Sequence, residues 1–98
     1  MDSARIPAPF RSDIEKALAV LGSFGTKDVY LFGSLTSDSW REDSDIDLAV
    51  SGMAPELHPK AYALASRGLE HELDLIDLDH ERPIGDFLME TDRLVRIA

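Results

Sequence analysis

The sequence predicts an α/β (α+β) fold, a single small domain in which helices and strands alternate. Three observations carry this. The chain has 98 residues, room for one hydrophobic core. Apolar residues recur with a period near 3.6 in some segments and as short β-forming runs in others. Gly and Pro punctuate the boundaries between these segments. With 44% hydrophobic and 30% charged residues, the balance is that of a folded domain rather than a disordered chain.

Residues 1–10 carry Pro7 and Pro9 without periodicity and read as a poorly ordered lead, leaving 11–98 as the domain. Ser12 and Glu15 have capping-box spacing before Ile14, Ala17, Leu18 and Leu21, which predicts a first helix over 13–22. Lys27 to Phe32 is rich in β-formers between Gly25 and Gly33 and predicts a strand. After a polar stretch holding Trp40, Asp45 to Val50 predicts a second strand. Pro59 in a first turn, followed by Ala61, Leu64, Ala65 and Leu69, predicts a helix over 59–70. Glu72 to Leu78 is a third strand, a helix follows over 84–91, and Leu94 to Ile97 is a short last strand.

Composition excludes several classes of function. Ten Lys and Arg stand against 19 Asp and Glu, a formal charge of −9 spread evenly along the chain. Such a surface repels a phosphate backbone, so autonomous nucleic-acid binding is not expected. The absence of cysteine rules out disulfides, thiolate zinc sites and a cysteine nucleophile. No apolar run reaches the roughly 20 residues that cross a bilayer, and the start lacks an apolar signal core, so no membrane association and a cytoplasmic location are expected.

The chemistry concentrates between Gly33 and Leu48. Side chains alternate across a strand, so Asp45 and Asp47 point to one side while Ile46 and Leu48 point to the other. Two adjacent carboxylates repel unless a proton or a divalent cation relieves them. Oxygen ligands of this kind suit Mg²⁺ or Mn²⁺, which complete their shells with water and substrate phosphates. Gly33 and Ser34, directly after a strand, offer a backbone open to close approach, amide donors and a hydroxyl, the groups a phosphate needs. A helical turn beginning at Ser34 would add its free N–H groups. Asp74, on a later strand, can complete a triad as a metal ligand or as the base for an attacking hydroxyl. Asp77 has the opposite parity and cannot join with it.

Gly33-Ser34, ten intervening residues, Asp45-x-Asp47 within Ser-Asp-Ile-Asp-Leu-Ala-Val, and the later Asp74 together resemble the minimal nucleotidyltransferases of the DNA polymerase beta superfamily. The resemblance spans about residues 13–98. It implies a small mixed sheet with helices packed on it, ATP as substrate, Mg²⁺ or Mn²⁺ as cofactor, and transfer of a nucleoside monophosphate, AMP from ATP, to a hydroxyl. It assigns the NTP phosphates to Gly33 and Ser34, and the metals and catalysis to Asp45, Asp47 and Asp74. Many stand-alone members resemble antitoxins that adenylylate a tyrosine of a HEPN-domain toxin, which implies a HEPN-domain protein as partner and acceptor. The family commonly has Arg after Gly-Ser and Gly four residues after the Ser, whereas this chain has Leu35 and Asp38. A missing cation and an added anion there would weaken triphosphate binding.

Simpler readings stand beside these. Ser34 can serve only to cap a turn. Trp40 either packs over its loop or faces a partner. The run from Asp43 to Asp47 is no calcium loop, because Leu48 and Ala54 stand where Gly and Glu are required. His58, His71 and His80 lack metal or triad spacing and read as surface residues. Asp79, Glu81, Asp86, Glu90 and Asp92 read as a solvated face, and Ile84, Phe87, Leu88, Leu94, Val95 and Ile97 as apolar surface to be buried on the domain or a partner. Two further functions fit the same fold. One is a non-catalytic module that acts by protein binding, favoured by Leu35 and Asp38. The other is transfer to an aminoglycoside-like small molecule.

Overall fold

The computed structural model describes residues 3–80 and 94–98. Strands β1 (Asp28–Phe32), β2 (Ile46–Ser51), β3 (Leu73–Asp77) and β4 (Val95–Arg96) form one sheet in the order β3-β2-β1-β4. β1 runs antiparallel to both β2 and β4, and β2 runs parallel to β3. The sheet is therefore mixed, as expected. A parallel pair needs a crossover, and α2 (His58–Ser66) lies within it. With α1 (Arg11–Ser23) ahead of β1, this is the α/β architecture the sequence predicts.

Period-two alternation sorts the sheet into two faces. Val29, Leu31, Ile46, Leu48, Val50 and Leu73 are buried on one of them, in a single core with Ile14, Ala17 and Leu21 of α1 and Ala61 and Ala65 of α2. Each large aliphatic side chain buried there stabilises the fold by about 1.5–3 kcal/mol. Asp47 and Asp74 have the opposite parity, so they share the face turned away from this core.

Several boundaries differ from expectation, each for a local reason. α1 starts at Arg11 rather than 13, and Ser12 makes no cap. A 3-10 turn over Ala8–Phe10, closed by Phe10 N–H to Pro7 C=O at 3.0 Å, runs straight into the helix and places Ser12 inside it. The stretch read as a loose lead is packed: Ile6 and Phe10 are among the most buried side chains. α2 ends at Ser66 instead of 70, because Arg67 turns extended (φ −68°, ψ 128°) and Gly68 follows at φ +75°, the two central residues of a type II turn from Ser66 to Leu69. β2 begins at Ile46, leaving Asp45 just before it, and the other strands are shorter than expected by a residue or two at their ends. The helix expected over 84–91, with Ile84, Phe87 and Leu88, lies outside the described residues, as do Glu81, Asp86, Glu90 and Asp92. Ile97 is buried in the core, with Val95 packed partly against it. No helix among the described residues is long and apolar enough to cross a membrane.

Candidate active site

β1 delivers the chain into a single 3-10 turn, Gly33–Thr36. Thr36 Oγ1 donates to Gly33 C=O at 2.7 Å, and the backbone N–H of Ser37 donates to Ser34 C=O at 3.2 Å. Gly33 has φ +75°, and a Cβ there would overlap Asp47 Oδ2. Glycine is needed at this point both for its conformation and for the closeness of the carboxylate. Leu35 turns inward and is 2% exposed, so the position where Arg is common in the family is part of the core here. Asp38 is exposed.

Asp47 and Asp74 are register partners on the parallel strands β2 and β3. Burial, then the charge of Asp74, a hydrogen bond shared with it, and the charge of Asp45 push the Asp47 carboxyl up to about 6. That is the electrostatic signature of carboxylates crowded onto one spot. Asp45, exposed, lies at the rim of a cleft of about 600 Å³ with Glu42, Asp43, Glu70 and Glu72. The donor set is all oxygen and carries excess negative charge, which fits a hard divalent cation. Among the described residues, however, the side chains whose ligand atoms lie within 4.8 Å of one another are Asp77, Asp79 and His80, not the Asp45, Asp47 and Asp74 set. That cluster is engaged internally: His80 Nδ1 is 2.7 Å from Asp77 Oδ2, Asp79 N–H donates to Asp77, and Asp79 accepts from Gly52 N–H at 2.7 Å. Asp77 is buried, in keeping with its opposite parity.

The histidines correct the expectation of surface residues. Only His80 is exposed. His58 is partly buried, with Nε2 3.2 Å from Leu75 C=O. His71, 11% exposed in its side chain, stands 2.8 Å from buried Asp13 and 2.8 Å from Glu42 C=O. Burial alone would raise the Asp13 carboxyl, but hydrogen bonds from the His71 ring and from the backbone N–H groups of Glu70 and His71, with the charge of His71, hold it below the ordinary carboxylate value. The signal for this cluster was present: Asp13, Ala17 and Leu21 share one helical stripe, so Asp13 is a carboxylate on an apolar face. Trp40 is partly buried against the core, edge-on to Phe10 of the N-terminal 3-10 turn at 5.7 Å.

A model of the family described as polymerase beta, nucleotidyltransferase, matches residues 15–95. The chain belongs to this family. Among solved structures, a toxin-antitoxin with AMP-PNP is 21% identical with a TM-score of 0.66, covering 84% of this chain and 69% of its own. The toxin-antitoxin MntA-HepT is 19% identical with a TM-score of 0.62, covering 88% of this chain and 69% of its own. At these identities the likeness establishes the fold. Comparison with curated proteins finds no match.

Proposed function

We propose that this nucleotidyltransferase domain moves AMP from ATP onto a hydroxyl of a partner protein, as the antitoxin of a pair with a HEPN-domain toxin. The observation that carries the reading is the pairing of Asp47 with Asp74 across β2 and β3, directly against the Gly33 turn. Family membership supports the reaction class, and the likeness to toxin-antitoxin structures, one with AMP-PNP, supports the nucleotide and the kind of partner.

In this reading Gly33 and Ser34 hold the triphosphate through backbone N–H groups and the serine hydroxyl. Asp45 and Asp47 would hold Mg²⁺ or Mn²⁺, with Asp74 as a further ligand or as the base. The metal's contribution when bound is to neutralise phosphate charge as pyrophosphate departs. The acceptor oxygen forms a bond to the α-phosphorus as the bond to pyrophosphate breaks, and the hydroxyl proton passes to a carboxylate, for which Asp74 is placed on the open face. Such a domain acts in the cytoplasm, where ATP and Mg²⁺ are supplied.

The test is label transfer from ATP carrying a radioactive α-phosphate, with Mg²⁺ and the protein encoded next to this one. Transfer to that partner, abolished in Asp45→Asn and Asp47→Asn, is expected. No transfer to any partner, or transfer that survives both substitutions, removes the reading. A screen of hydroxylated small molecules in the same assay covers an aminoglycoside-like acceptor. The inward turn of Leu35 favours a second reading, a module that binds its partner without catalysis. Tight binding to the partner without label transfer would establish it.

A further inference from the structure

His71 joins three segments of the chain. Asp13 on α1, 3% exposed, accepts from the backbone N–H groups of Glu70 at 3.0 Å and His71 at 2.9 Å, and its Oδ2 is 2.8 Å from His71 Nδ1. The other ring nitrogen, Nε2, is 2.8 Å from the carbonyl oxygen of Glu42. Glu42 belongs to a turn closed by Ser44 N–H to Arg41 C=O at 3.0 Å and by Arg41 N–H to Ser44 Oγ at 2.7 Å. Asp45 follows that turn immediately. Phe10, fully buried, lies against the ring with centroids 4.3 Å apart.

An ionised carboxylate and a peptide carbonyl are both acceptors. Both ring nitrogens must therefore donate, which the imidazolium can do and neither neutral tautomer can. Among the described residues, the charged side chains that bond the ring or line its cleft are Asp13 from α1, Glu42, Asp43 and Asp45 from the loop, and Glu70 and Glu72 from the segment before β3. All are acidic.

We propose that His71 is a positioning residue: anchored on Asp13, it grips the Arg41–Ser44 turn through Glu42 C=O and so presents Asp45 beside Asp47 at the start of β2. The role of Asp45 rests on the functional reading above, whereas the tether does not. Loss of one proton from the ring must break one of its two bonds. The bond to Glu42 is the one released, because the bond to Asp13 is charge-assisted.

The experiment measures amide hydrogen exchange and Mn²⁺ binding, the latter from the electron paramagnetic resonance of free Mn²⁺, on the full chain and on His71→Gln. The expected result is about tenfold faster exchange at Arg41 and Ser44, the scale of one lost charge-assisted hydrogen bond, with Leu48 in β2 unchanged. Mn²⁺ should bind severalfold more weakly to the variant. Unchanged exchange at Arg41 and Ser44, or faster exchange throughout β2, overturns the tether. Failure of both proteins to bind Mn²⁺ overturns instead the assignment of Asp45 as a ligand, and the exchange data still decide the tether.

Discussion

Gly33 and Asp47 touch: the Asp47 carboxylate occupies the space a side chain at 33 would take, and a Cβ there would lie only 3.1 Å from its Cγ. The bend after β1 and the acidic pair of the sheet are thus one packed unit. Gly33→Ala introduces both a clash and a left-handed backbone strain. It should destabilise the protein by about 1–3 kcal/mol in urea melts and displace Asp47, lowering label transfer more than stability alone explains.

The Asp47 carboxyl, raised from 3.8 to about 6, sets a pH dependence. A group that binds its proton more tightly in the folded state favours folding fully below its unfolded value, and that contribution is lost as pH rises through about 6. Asp47→Asn should match the unsubstituted protein in acid and melt at a higher temperature at pH 8. Added Mg²⁺ should raise the melting temperature of the unsubstituted protein at pH 8 and leave that of the variant unchanged.

Asp13 works in the opposite sense. Its lowered carboxyl contributes stability above the ordinary value of 3.8, lost as pH falls through the lower folded value. Asp13→Ala leaves three donors, the N–H groups of Glu70 and His71 and the His71 ring, without their acceptor. The substitution should cost about 2–4 kcal/mol at pH 7 in denaturant melts. The gap should begin to narrow as pH falls below 3.8, where the unfolded chain takes up the proton, and close below the lower folded value, where the native carboxyl is protonated as well.

Leu35→Arg tests whether the chain can regain the cation common in its family. Leu35 is 2% exposed, and a guanidinium forced into that space is a buried charge without a designed partner. The substitution should destabilise by on the order of 3–5 kcal/mol and leave ATP affinity no better, as read by denaturant melts and titration with ATP.

Phe10→Ala should cost about 3–5 kcal/mol, the range for a fully buried aromatic. Because the ring stacks edge-on against Trp40 at 5.7 Å, the loss should also appear as a red shift of tryptophan emission before global unfolding.

The strands and the parity of their aspartates were legible because alternation is local: Asp47 in Asp-Ile-Asp-Leu and Asp74 in Leu-Asp-Leu each declare a face within a few residues. Their register across β2 and β3 was not, since it depends on the length of the crossover. Phe10 was missed because it sits among prolines with no repeat to place it. Asp13 stands out locally as a carboxylate on an apolar helical stripe, but its partnership with His71, 58 residues away, escaped because no local pattern links the two. Leu35 misled for a related reason, as position in a motif says nothing about which way a short turn points its side chain.

The parallel alignment of β2 with β3 also governs when the site comes into being. Asp47 meets Asp74 only after the whole α2 excursion has closed, a contact between distant parts of the polypeptide. During synthesis the ribosome releases Asp47 well before its counterpart, so the nascent domain carries the Gly33 bend and Asp47 before Asp74 is there to pair with it. The acidic pair thus forms late, with the docking of a single five-residue strand.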